Sequence, residues 1–153
     1  MRILFVNPSL RPGGRFLYLP VGLGYVMTYV KEHGYKFDLL DVDAGNYSND
    51  YVEKYFIKNK YDIVCMGSIV THYKWIKWCV NTIKKHQPDC KVILGNSVGG
   101  SIPEVIFRTT EVDIVLYGEA EVTLVELLDA IRKNKSFGDI VEPHFEIPHT
   151  NKG

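Results

Sequence analysis

A charge surplus of either sign is missing from this sequence: 18 Lys and Arg balance 18 Asp and Glu over 153 residues. Nucleic acid and anionic lipid both demand clustered cations, so neither is expected as a partner. Cysteine is scarce, at Cys65, Cys79 and Cys90. An odd, scattered set excludes a disulfide framework or a zinc site and predicts the cytoplasm. Long apolar runs are absent, so no membrane span is expected. Met1-Arg2 leads into an apolar stretch too short for a signal peptide, with no cleavage site after it. Histidine pairs at metal-ligand spacing are missing too, and no metal ligand is expected. His33 and His86 fall in the last turns of helices, His144 and His149 in the tail, and His72 is expected to face solvent at a helix start.

What is present is 46% hydrophobic and 24% charged, the profile of one globular domain with a proper core. Short β-rich runs alternate with helical stretches. Residues 2–6 form a first strand, and "VGLGYVMTYVKEHG" spaces Leu23, Val26, Met27 and Val30 as a helix that ends at Gly34. The strand "KFDLLDV" follows, then a helix over 49–60 with Val52, Tyr55 and Phe56 inward. "YDIVCMGS" is an apolar buried strand. "YKWIKWCVNTIKKHQP" carries Trp75, Ile76, Cys79, Val80 and Ile83 on one stripe and is closed by Pro88. "CKVILG" is a strand and "SIPEVIFRTT" a short helix begun by Pro103. "VDIVLYG" is the fifth strand, and the last helix turns Val122, Leu124, Val125, Leu127, Leu128 and Ile131 inward.

Right-handed crossovers then favour an α/β, flavodoxin-like, five-stranded parallel sheet of order 2-1-3-4-5 with helices on both faces. Residues 1–135 form the domain. Residues 136–153, with no helical or strand period, are expected to be a linker or a truncated tail.

In such a sheet a ligand lies beyond the carboxyl ends of the strands. The loops there are "NPSLRPGG", "GSIVTH", "GNSVGG" and "GEAE". They contain neither GxGxxG for a dinucleotide nor GxxxxGK[ST] for a nucleoside triphosphate. They are made of Gly, Ser, Thr and Asn with almost no charge, walls that suit a large, mostly apolar ligand with a polar tail. The alternative is that each glycine merely makes a tight turn. Asp41 and Asp43 resemble part of a receiver domain's acidic pocket, but the first strand ends in Asn7 and the third offers no phospho-acceptor Asp. Glu119 and Glu121 open the last helix, where a carboxylate suits the dipole.

The ordered segments "NPS", "LPVGLGYVMTYVKEHGY", "YDIVCMGS", "KVILGNSVGG" and "VDIVLYGEAEVTLVELL" together resemble the cobalamin-binding domain at the amino end of B12-dependent radical S-adenosylmethionine enzymes. The resemblance covers residues 1 to about 132 and is most specific at Pro20 to Tyr25 and at "VDIVLYGEAE". Two departures are Asn96, where that family usually has a second glycine, and Ala120, where it often has another. The resemblance implies a corrinoid, cobalamin, over the C-terminal edge of the sheet, with its nucleotide tail in a slot between the strand ends. The residues implied to bind it are Asn7, Pro8 and Ser9 on one side; Gly67, Ser68, Val70, Thr71 and His72 after the third strand; Gly95, Asn96 and Ser97 after the fourth; and Tyr117, Gly118 and Glu119 after the fifth. Gly67, Ser68, Gly95 and Gly118 would leave room for a flat base, and Ser68, Thr71 and Ser97 would bond its ribose or phosphate.

The family's CxxxCxxC is absent, so S-adenosylmethionine and the 4Fe-4S cluster would belong to a radical S-adenosylmethionine domain removed from the chain or supplied by a partner. No catalytic residue is expected here, and the chain alone should be a carrier. In the family, the corrinoid passes a methyl group to a substrate radical or assists other radical chemistry. The competing reading is a free-standing flavodoxin-like module for FMN or a nucleotide, or for signalling. A flavin needs flanking aromatics and a hydroxyl-rich phosphate loop, yet "NPSLRPGG" holds a single Ser.

Overall fold

The computed structural model of the chain describes residues 1–10, 19–135 and 145–148. The strands are β1 (Ile3–Asn7), β2 (Phe37–Asp41), β3 (Ile63–Gly67), β4 (Lys91–Gly95), β5 (Ile114–Leu116) and β6 (Phe145–Glu146). The helices are α1 (Val21–Glu32), α2 (Asn49–Lys58), α3 (Tyr73–His86), α4 (Asn96–Ser101), α5 (Pro103–Thr109) and α6 (Glu121–Arg132), and a 3-10 turn over Val70–His72 precedes α3. The sheet order is β2-β1-β3-β4-β5-β6. The first five strands are parallel and stand in the expected 2-1-3-4-5 order.

Each strand feeds two cores, because successive side chains point to opposite faces. Leu4, Val6, Val64, Met66, Val92, Leu94 and Val115 pack on one face with Val52, Phe56, Ile76, Val80 and Ile83. Ile3, Phe5, Ile63, Cys65, Ile93, Ile114 and Leu116 pack on the other with Val30, Leu124, Leu127 and Leu128. Burial on both faces is why β1, β3, β4 and β5 read as near-continuous apolar runs. The three cysteines are buried as free thiols. Among the described residues no helix is long and apolar enough to cross a membrane.

Three sequence expectations change. The tail was expected to hold no strand, yet Phe145 and Glu146 pair antiparallel with Leu116 and Val115. A strand that short cannot display a period of two, and its position covers β5, which would otherwise present an open edge. The rest of the linker assignment, residues 136–144 and 149–153, lies outside the described residues. "GNSVGG" was expected to be a loop and is instead α4. Its glycines give it a loop's composition, but at Gly99 a Cβ would stand only 2.9 Å from Val115 Cγ1, so the residue lets the helix backbone lie close on β5. Finally, Val122 was expected to point inward and is 55% exposed.

Buried Gln87 fastens the end of α3 to the segment between α2 and β3. Its Oε1 accepts from the Tyr61 N–H at 2.7 Å, and its Nε2 donates to the carbonyls of Phe56 at 3.0 Å and Asn59 at 2.9 Å. Gln87→Leu keeps most of the volume but strands three backbone groups. A loss of about 2–4 kcal/mol is expected in urea unfolding, with an unchanged denaturant slope.

Candidate functional site

The side-chain row nearest the C-terminal edge is where the α1 and α6 face of the sheet differs from the rest. One row in, Phe5 pairs with Cys65, Cys65 with Ile93, and Ile93 with Ile114 of β5. Two residues further along, the row becomes Asn7, Gly67 and Gly95, with Gly67 and Gly95 in direct register, Leu116 level with them on β5 and Gly118 two residues beyond it. On β3 and β4 the layer of side chains that elsewhere separates the sheet from α1 and α6 therefore stops. Beyond it opens a cavity of about 830 Å³. Phe5, Cys65, Ile93 and Leu116 floor it, and Leu23 and Val26 of α1 and Leu124 of α6 flank it. Asn7, Pro8, Asp43, Ser68, Asn96, Glu119 and Glu121 are at its mouth.

The glycines play different physical parts. Gly95 has ordinary extended backbone (φ −129°, ψ −168°), and a Cβ built there meets nothing within 4 Å. Its missing side chain leaves volume. Gly118 has φ +59°, a left-handed turn into α6. At Gly67 a Cβ would press on the Gly95 carbonyl oxygen at 3.1 Å, so this residue lets the ends of β3 and β4 approach. Asn96 is also left-handed, at φ 63°, a conformation Asn tolerates better than most residues. That accounts for Asn in place of the expected glycine. Its Oδ1 accepts from the Ser97 N–H at 2.6 Å.

Of the residues singled out from sequence, Asn7, Pro8, Gly67, Ser68, Gly95, Asn96, Gly118 and Glu119 line the cavity. Ser9, Val70, Thr71, His72, Ser97 and Tyr117 do not. Ser9 is buried and donates to Asp43 Oδ1 at 2.7 Å, while Asn7 Nδ2 donates to Asp41 Oδ1 at 2.9 Å. These bonds tie the segment after β1 to the segment after β2. Val70 and Thr71 are exposed on the 3-10 turn. His72 does not face solvent as expected: its ring stacks on Trp75 at 5.7 Å, its Nδ1 lies 3.3 Å from Ser68 Oγ, and burial lowers its pKa. Ser97 sits in α4. Tyr117 packs against the opposite core, because it is one residue out of phase with Leu116 and Gly118. The second half of the first loop, "RPGG", lies outside the described residues.

Sequence reasoning missed the wall that α1 contributes. Leu19, Pro20, Gly22, Leu23, Tyr25 and Val26 all line the cavity. The signal was an apolar and glycine-rich helix start where a surface helix would carry polar residues. It missed the floor for a different reason, since Phe5, Cys65, Ile93 and Leu116 read simply as core. Burial pushes the Cys65 thiol well above its ordinary pKa, so the floor is uncharged. Among the described residues lining the cavity there are three carboxylates, on Asp43, Glu119 and Glu121, and no Lys or Arg.

A family model of the B12 binding domain matches residues 15–128. The chain is 28% identical over 145 residues to the anaerobic magnesium-protoporphyrin IX monomethyl ester cyclase of Rubrivivax gelatinosus, an alignment that takes in 91% of this chain and 26% of the cyclase. Among solved structures, the radical S-adenosylmethionine methyltransferase TsrM from Kitasatospora setae, with cobalamin and a 4Fe-4S cluster bound, superposes with a TM-score of 0.81 at 18% identity. The match covers 97% of this chain and 27% of TsrM. The cobalamin-dependent S-adenosylmethionine radical enzyme OxsB, with aqua-cobalamin and S-adenosylmethionine bound, gives 0.83 at 19% identity, over 97% of this chain and 21% of OxsB. The chain thus spans about a quarter of the length of these proteins.

The unlike roles of two glycines can be separated by adding one methyl group. Gly118→Ala forces alanine into the left-handed region and is expected to lose about 1 kcal/mol of stability. Gly95→Ala, on extended backbone with open space ahead of it, is expected to leave the thermal midpoint within about 1 °C, since substitutions without strain or clash are nearly neutral. Thermal unfolding of both variants beside the parent chain checks this.

Proposed function

Because the chain belongs to the B12-binding domain family, we propose that it holds a corrinoid over the C-terminal edge of its sheet, with the nucleotide tail inserted between the sheet and helices α1 and α6. The observation that carries this reading is the missing side-chain row. Gly95 faces open space over an apolar floor, a cradle that a single Cβ would begin to fill. A flat base suits a slot between a sheet and two helices, and the polar mouth suits the ribose, phosphate and amide groups that follow it.

In this reading Asn7, Pro8, Ser68, Asn96 and Glu119 meet the tail as it enters, Gly95 gives it room, and Gly67 and Gly118 shape the slot beside it. Ser9 is a positioning residue, holding Pro8 and Asp43 at the mouth through its hydrogen bond. Val70 and Thr71, exposed just beyond β3, meet the rim of the macrocycle. The bound corrinoid supplies a cobalt centre for methyl transfer or related radical chemistry. A radical S-adenosylmethionine domain, in cis or in trans, supplies the cosubstrate and the 4Fe-4S cluster. The size of the relatives supports this, since each is about four times as long as the part this chain matches.

The test is retention of a red chromophore after the chain is mixed with cobalamin and desalted. The parent chain is expected to retain it, and Gly95→Leu, whose side chain enters the slot, to lose at least about 100-fold in affinity while melting normally; steric overlap of this kind exceeds the cost of an ordinary overpacked contact. Retention of FMN instead of cobalamin would turn the reading to the flavin module.

The metal's lower face gives a second prediction. No histidine lines the cavity among the described residues, and His72 is engaged by Trp75 and Ser68. A tail buried in the slot also removes its own base from cobalt. Electron paramagnetic resonance of the bound cobalt(II) form is therefore expected to lack nitrogen superhyperfine splitting. Splitting that disappears in His72→Ala would identify the imidazole as a ligand and overturn the expectation.

A further inference from the structure

We propose that the slot discriminates among corrinoids by the polarity of the base on the nucleotide tail, accepting an apolar benzimidazole and rejecting a purine. This rests on the corrinoid reading above. The deep part of the cavity is formed by Phe5, Cys65, Ile93, Leu116 and Leu124, each no more than 4% exposed. Phe5, Cys65 and Ile93 have a paired strand on each side, Leu116 pairs with Phe145, and the backbone of Leu124 lies within α6. The Cys65 thiol stays protonated and is at most a weak donor. Nothing at that depth replaces the water that a polar base leaves behind.

The nearest polar side chains are one row higher, and two of them already have partners there. Asn7 donates its amide to Asp41, and Ser68 shares its hydroxyl with His72. Dimethylbenzimidazole presents two methyl groups and a benzenoid edge to such a floor, and burying them there is favourable. Adenine presents an exocyclic amine and ring nitrogens, which would be buried without partners. A site whose contacts leave a ligand's polar groups unpaired discriminates strongly against that ligand.

Equilibrium titration of the chain, followed by visible absorbance, decides the matter with three corrinoids: cobalamin, the cobamide whose base is adenine, and cobinamide, which has no nucleotide tail. Cobalamin is expected to bind tightest and the adenine form about tenfold or more weakly, close to cobinamide. In Cys65→Ser, checked for folding by its thermal melt, a hydroxyl on the floor pairs with the purine and narrows the gap. Equal affinity for the two cobamides, both above cobinamide, would overturn the discrimination. Cobinamide binding as tightly as cobalamin would overturn it by showing the slot empty of the tail, while leaving corrinoid binding standing. An unchanged gap in folded Cys65→Ser would remove the floor from the explanation. Failure to bind any of the three would overturn the proposed function itself.

Discussion

A parallel strand covered on both sides must send a side chain to each face in strict alternation, and this constraint generates the cavity. The space between the sheet and α1 and α6 is kept filled by every second residue of β1, β3, β4 and β5. The helices do not follow the sheet down when that supply stops at Gly67 and Gly95, because Val30, Leu127 and Leu128 hold them at core distance lower down. A rigid layer with its last row omitted leaves a slot of fixed width. The cavity is thus a property of register. A one-residue slip of β4 would put Leu94 where Gly95 stands and close it.

Register is secured from outside the slot. Lys84 Nζ lies 2.8 Å from Asp113 Oδ2 and donates to the Cys90 carbonyl at 2.7 Å, and the same carboxylate oxygen accepts from the Val92 N–H at 2.7 Å. Lys84 is nearly buried, so these bonds compensate its desolvation as well as attracting its charge. They fix where β4 and β5 begin relative to α3, and so where both end. At the C-terminal end of the sheet, Asp41 accepts from the Asn7 side chain and from the Ala44 N–H, each at 2.9 Å, which sets the turn that carries Asp43. The polar residues of the first loop act partly as joinery between two strand ends.

The architecture was legible in the sequence because both of its periods are strong. Apolar strand runs separated by helical stripes admit few arrangements once crossovers are right-handed. The strand ends were legible too, since small residues marked them. What glycine alone does not reveal is its reason. Gly95 leaves room, Gly67 allows approach, Gly118 takes a left-handed turn and Gly99 lets α4 lie close on β5, yet all four look alike in sequence. The resemblance implies Tyr117 at the site, and the alternation of the strand carries it to the other face. The α1 wall escaped because an apolar helix start reads as core when nothing says that the space beside it is empty.

The rim explains why those apolar residues are tolerated. Leu10, Leu19, Tyr25 and Ile69 line the cavity and are 37%, 84%, 68% and 44% exposed. Scattered apolar side chains on a surface need no explanation, but a group joined around one opening marks a place where another body sits. A small ligand confined to the slot would leave them in water. A ligand with a narrow tail and a broad head covers them, tail on the floor of Phe5, Cys65, Ile93 and Leu116 and head across the rim. The proportions of the opening therefore argue for a corrinoid over a lone nucleotide, whose size would match the slot and leave the rim without a partner.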